Sequence, residues 1–227
     1  MKKTFFTEIA FICGIIFMSF GIALQAKADI GMSMVVAPAF VIYSKISQYW
    51  SWFTLGMAQY TFQFVLILIL CLVIRRFNIK FFLSFVTAFI DGLALDLAMW
   101  IVAFIPEFGL AGQIIFYLLG MVITSIGVAF FFKTYIAPEA YELFVKEFSR
   151  SYKKDIHKVK TIYDISSLMV AVILSFALFG WLNFVGVKWG TLICALVNGF
   201  IIGFVSKTLD KWFDFKDAFK FRKFFEI

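Results

Sequence analysis

The chain has 227 residues, 63% hydrophobic and only 15% charged, with a mean hydropathy of +0.96. Soluble domains carry about 25% charged residues, so a water-soluble globule is excluded and length counts membrane spans rather than cores. The net charge of +7 gathers in loops and at the tail, where it reads as a topology signal and needs no nucleic acid to explain it.

Six apolar stretches approach or exceed the ~17–25 residues a spanning helix needs; they are predicted near 5–26, 53–74, 81–105, 112–132, 162–183 and 188–206. The first imitates a secretory signal, with Met1-Lys2-Lys3, an apolar run and Ala26-Lys27-Ala28 before Asp29. Glu8 interrupts the start of that run, which extends from Ile9 to Leu24, at or beyond the long end of a usual ~7–15-residue signal core. A retained first helix is therefore expected. Residues 29–51 follow without a tight turn, and Ile30 to Tyr43 is apolar enough either to re-enter the membrane or to lie on it. The second span carries Gln59 and Gln63, able to serve a polar cavity but also ordinary links between helices.

Asp91 stands ~15 Å into the third span at 1.5 Å per residue, close to the bilayer midplane, where a carboxyl is costly and a functional role is the default reading. The structural alternative is a hydrogen bond between helices. Asp96 is five positions on, rotated roughly 140° around the helix, so the two acids do not share a face. Past the fourth span, Tyr141, Phe144, Val145 and Phe148 fall at helical spacing opposite Glu142, Lys146 and Arg150. Residues 139–150 are expected to lie as an amphipathic helix on the bilayer surface. His157, the only histidine, sits in the basic loop that follows, and one imidazole without a Cys or His cluster makes no zinc site. Lys160 and Asp164 form an i, i+4 pair at the entrance of the fifth span. The sixth span holds Asn198 and a Gly199-x-x-x-Gly203 spacing that permits close helix contact, including contact in a homo-oligomer. From Lys207 onward basic residues alternate with Trp212, Phe213, Phe215, Phe219, Phe221, Phe224 and Phe225, expected as an interfacial amphipathic helix on anionic lipid. Cys13, Cys71 and Cys194 all fall within spans and read as small packing residues.

With the N-terminus cytoplasmic and six spans, only Lys27, Lys45 and Lys188 of the 21 Lys and Arg lie outside. That bias predicts a multi-pass plasma-membrane protein with both termini cytoplasmic. An internal repeat is also visible. Gly21-Ile22-Ala23-Leu24 before Lys27 matches Gly127-Val128-Ala129-Phe130 before Lys133; Ala37-Pro38 matches Ala137-Pro138; Asp91-Gly92 matches Asn198-Gly199. The units are residues 1–106 and 107–206, each with three spans, then a tail at 207–227. An odd number of spans forces the second copy upside down, and inverted three-helix repeats recur among secondary transporters. The expected fold is thus all-α, six transmembrane helices as two inverted three-helix repeats, with amphipathic or re-entrant segments after the first and fourth.

The order of Gly21-Ile22-Ala23-Leu24, Ala28-Asp29-Ile30-Gly31, Phe89-Ile90-Asp91, Gly127-Val128-Ala129, Val159-Lys160-Thr161-Ile162-Tyr163-Asp164 and Gly190-Thr191 resembles the YitT/YczE group of bacterial membrane proteins. The chain departs from that group after Gly31, where Met32-Ser33-Met34 stands in place of a small residue followed by Pro-Trp. The resemblance implies a polytopic plasma-membrane protein suspected of transport, with no established catalytic residues. It marks Asp29, Asp91, Lys160 and Asp164 as motif positions.

The leading expectation is a small secondary transporter or exporter of a small solute. Its substrate or coupling-ion candidates are Asp91, Asn198 and Asp96; its motif or interfacial candidates are Asp29, Lys160 and Asp164. The alternative is a non-transporting scaffold or regulator acting through the basic loop and tail. No cofactor or metal is expected, and no enzyme: there is no P-loop, no His-rich ligand set and no nucleophile elbow.

Overall fold

The computed structural model describes residues 2–79, 81–107, 109–181, 183–219 and 222, apart from the side chains of Ile156 and His157. In chain order they form β1 (Lys3–Phe6), α1 (Thr7–Ala28), α2 (Ala37–Ile46), α3 (Leu55–Ile74) and α4 (Phe81–Ala103). Then come α5 (Leu110–Phe131), α6 (Ala140–Tyr152), α7 (Ile156–Phe179), α8 (Trp189–Trp212) and β2 (Phe213–Lys216). Six of these helices, α1, α3, α4, α5, α7 and α8, are long and apolar enough to cross a membrane. Large apolar side chains such as Leu72, Trp100, Leu196 and Phe200 stay exposed on their outer faces. In water such a belt is a liability; against lipid it is the expected surface. The fold is an all-α membrane-type bundle with two short helices, placed after the first and fourth spans.

Local chemistry sets the ends. Thr54 caps α3 by accepting from the Met57 amide, and Asp155 caps α7 by accepting from the Lys158 amide. That second cap starts α7 six residues before the expected 162, so His157, Lys158 and Lys160 ride on its first turns rather than in a loop. Pro38 sits in the first turn of α2, where its missing N–H costs nothing.

At the centre, α1 packs along α5. A Cβ on Gly21 would lie 2.2 Å from Thr124 Oγ1 and 2.7 Å from the Gly120 carbonyl; one on Gly127 would lie 2.6 Å from the Met18 amide and 2.9 Å from the Gly14 carbonyl. The pairing Gly14 with Gly127 and Gly21 with Gly120 makes the helices antiparallel. Lipid tails are as apolar as leucine, so this close approach of backbones is itself the source of adhesion. On one side α4 packs on α1 and α3; on the other α8 packs on α5. The short helices cross over: α2 rests on α7 and α6 on α3.

Two expectations are corrected. Residues 139–150 do not simply lie on a surface, because Ala140 and Leu143 are wholly buried against α3 and its neighbours. The amphipathic pattern reports a face toward protein here, not toward lipid. Among the described residues of the tail, 213–216 do not form the expected helix. Lys207–Trp212 are the last turns of α8, and Phe213–Lys216 pair in parallel with Lys3–Phe6, Phe5 opposite Phe215. Alternating Phe-Asp-Phe-Lys has the period of a strand, and Phe5 gathers the rings of Phe130, Phe213 and Phe215 at 5.1–5.7 Å. Phe221, Phe224 and Phe225 lie outside the described residues. The strand pair brings the first and last described elements to one end of the bundle.

Candidate functional site

The segments before α2 and α6 both fold back between the helices. Ser167 donates its Oγ to the Met34 carbonyl at 2.8 Å, ~14 Å along the spanning part of α7. Thr87 on α4 donates to the Ala137 carbonyl at 3.0 Å. Gln63, ~12 Å along α3, uses both ends of its amide: Nε2 donates to Glu139 Oε2 at 2.8 Å, and Oε1 accepts from the Ala140 amide at 3.0 Å. The start of α6 is therefore clamped about halfway along α3, and with it the Glu139 carboxyl.

Next to this clamp lies a cavity of about 690 Å³, within the range of small-molecule sites. Met18 and Ile22 of α1, Val36 and Ala39, Leu66 of α3, and Val128 and Phe131 of α5 give it apolar walls. Its polar lining includes Gln59, Gln63, Glu139, Glu142, Lys146, Lys160, Asp164 and Asn198. Glu139 is 2% exposed, and its Oε1 has no hydrogen-bond partner; nor does Gln59 Oε1. Burial holds the Glu139 carboxyl well above the ordinary value of 4.5, the Asp91 and Glu142 carboxyls push it the same way, and the Gln63 amide only partly opposes them.

Asp91 is fully buried and so is not against hydrocarbon; its Oδ1 accepts from Ser19 Oγ at 3.2 Å. Although a substrate or coupling-ion candidate from the sequence, it does not itself line the cavity. It reaches the cavity through Gln59, which lies against its carboxyl and forms part of the wall. Asn198 lines the cavity and accepts from Ser125 Oγ. Asp96 is elsewhere: its carboxylate accepts from the Gly56 amide at 2.7 Å and Thr54 Oγ1 at 2.6 Å, anchoring the positive end of α3. That removes it from the cavity candidates. Lys160 and Asp164 pair at 3.3 Å on the cavity's rim, with the ammonium 5.9 Å above the Tyr141 ring.

The two ends of the bundle differ. Opposite β1 and β2, Asp29 pairs with Lys188 at 2.8 Å, Met32 donates to the Gly186 carbonyl and Gly190 donates to the Ile30 carbonyl. Gly31 sits there at φ 135°, its Cα against Thr191. These bonds tie the loop after α1 to the start of α8, and none of Asp29, Gly31, Gly186, Lys188 and Gly190 lines the cavity. At the strand-pair end, Thr134, Tyr135 and Arg222 line the cavity, and Tyr135 donates to Glu8 just above β1. Among the described residues no group of three or more His, Cys, Asp or Glu is placed to hold a metal ion.

A profile described as a family of unknown function (DUF6198) matches residues 5–207, which include every cavity residue named above except Arg222. The chain belongs to this family. Its description carries no activity and does not carry the YitT/YczE name. No curated protein and no solved structure matches the chain.

Glu139 is the site residue that the sequence reading passed over. An acid between Pro138 and a helix start is an ordinary N-terminal signal, and nothing local says that the loop carrying it turns inward. Gln59 and Gln63 were legible as polar positions within a span; their partners were not.

Proposed function

We propose that this is a small secondary transporter of a small solute, working by alternating access of two inverted repeats. The observation that carries the reading is a mid-bundle cavity with a buried acid in its wall, whose lining reaches the strand-pair end and leaves out the bonded Asp29–Lys188 end. A carrier needs such a site, reachable from one side at a time.

The repeat is supported by pairs of bonds. Matching Gly21 to Gly127 makes Ser19 correspond to Ser125, and Asp91 corresponds to Asn198. The Ser19–Asp91 bond joins α1 to α4, and the Ser125–Asn198 bond joins α5 to α8. The same matching exchanges the Gly14–Gly127 contact with the Gly21–Gly120 contact. It also exchanges the packing of α2 on α7 with that of α6 on α3. One relation breaks: Gly92 packs on Gly56, closing α4 onto α3, whereas Gly199 meets nothing within 4 Å and α8 stands off α7. Two halves in unlike states are what alternating access requires.

On this reading the chain is a bacterial plasma-membrane protein of YitT/YczE type, with the strand-pair end cytoplasmic and its basic residues near anionic lipid. The test is a thermal-shift screen of metabolite pools on the purified protein, followed by gradient-driven flux of the hits in proteoliposomes. Asp91→Asn is expected to abolish flux while folded yield holds. Unaltered flux removes Asp91 from the mechanism, and hits that bind without flux in either gradient direction remove transport.

A further inference from the structure

We propose that the cavity takes a monovalent organic cation, an ammonium group on an apolar body, with Glu139 as its counter-ion. The proposal rests on the transport reading for its purpose but on separate observations for its chemistry.

The first is an imbalance of donors and acceptors. Glu139 Oε1 and Gln59 Oε1 are buried in the cavity wall with no hydrogen-bond donor. Facing Glu139 are Asp91 from α4, Gln63 from α3, Tyr141 and Glu142 from α6, and Tyr163 from α7. Four of these five side chains carry an acid or a phenol, and among the described ion pairs none reaches Glu139. Of the three cations that line the cavity, Lys160 pairs with Asp164 and Arg222 with Asp217, and Lys146, exposed on α6, makes no described ion pair. An ammonium N–H group supplies what those oxygens lack.

The second concerns the half-helices. Helix N-termini that point into a transporter core commonly hold anions. Here the leading amides are taken, Ala37 by the Ser33 carbonyl and Ala140 by Gln63 Oε1. The acidic group at the α6 terminus is Glu139 itself. An anionic solute would meet an acid, whereas a cation completes the arrangement. The apolar walls formed by Met18, Ile22, Leu66, Val128 and Phe131 then suit the solute's body.

Charge balance fixes the exchange. Burial beside Asp91 and Glu142 favours the neutral form of Glu139. An arriving ammonium favours the carboxylate, so the O–H bond breaks, its proton leaves through the strand-pair end, and one positive charge replaces another. The device is a one-for-one cation–proton exchange.

The test uses the full chain in nanodiscs, titrated with phenethylammonium, its neutral counterpart 2-phenylethanol, its anionic counterpart phenylacetate, and sodium chloride, at several pH values. Phenethylammonium is expected to bind at least tenfold tighter than the other two organic probes and to release up to one proton per molecule, read from buffers of different ionisation heat. Its affinity should fall by up to tenfold per pH unit as the medium is acidified, and Glu139→Gln should lose at least tenfold. Equal or tighter phenylacetate binding, unchanged affinity in Glu139→Gln, a response to sodium alone, or no binding at all overturns the proposal. Should Glu139→Gln fail to fold, the pH dependence and proton release of the unmodified chain decide it alone. Binding as expected without proteoliposome flux rejects transport and keeps the site; flux of another solute without ammonium binding does the reverse.

Discussion

Replacing Glu139 by glutamine should flatten one component of the pH dependence of stability. In the folded chain this carboxyl lies well above its ordinary 4.5 because it is buried beside Asp91 and Glu142. In the unfolded chain it ionises near 4.5, so the unfolded state loses its proton first as pH rises. The stabilisation associated with the neutral acid is therefore complete below about 4.5 and is lost as pH climbs toward the folded value. A full proton difference is worth about 1.4 kcal/mol per pH unit. For a chain of 227 residues that corresponds to about 3–5 °C in unfolding temperature per pH unit. Glutamine keeps the shape, and its carbonyl still accepts from the Gln63 amide, which now donates to Glu139 Oε2 at 2.8 Å. Unfolding temperatures of both proteins in nanodiscs between pH 5 and 7 should diverge by that amount per unit, the unmodified chain falling faster. Parallel curves would mean that Glu139 ionises alike in folded and unfolded chains, and the buried-acid argument would fail.

The asymmetry of the glycines gives a second expectation. Gly56→Ala puts a Cβ 2.0 Å from the Gly92 carbonyl and must separate α3 from α4, at a cost of about 1–3 kcal/mol. Gly199→Ala, with nothing within 4 Å, should leave unfolding temperature unchanged or slightly raised. Equal losses in the two would refute the separation of α8 from α7. At the Asp29–Lys188 end, Gly31→Ala should destabilise strongly, because φ is 135° and a Cβ would lie 2.7 Å from Thr191 Oγ1. Asp29→Asn there should cost under about 1 kcal/mol, since the pair with Lys188 is solvent-accessible on both sides; denaturation of both variants checks the contrast.

Much of this was already in the sequence. Span number, the short helices after the first and fourth spans, and the buried position of Asp91 follow from the length of apolar runs and the cost of a carboxyl among them. Asp91 and Asp96 were separated by helical rotation, and they do serve different places: one behind the cavity wall, the other at the start of α3. The errors share a cause. A pattern of alternating apolar and polar residues says that two faces differ, not what each face touches. Residues 139–150 therefore read as a membrane-surface helix when their apolar side packs on α3, and 213–216 read as helix when they pair with β1.

What the sequence alone determined is which segments leave water, because transfer of each apolar run into lipid or protein depends on composition and length, both local. Which acid faces a cavity depends on where a loop of six residues, Thr134 to Glu139, turns inward and is caught by Gln63 and Thr87. That is a matter of contacts between residues distant in the chain, and only the packed bundle decides it.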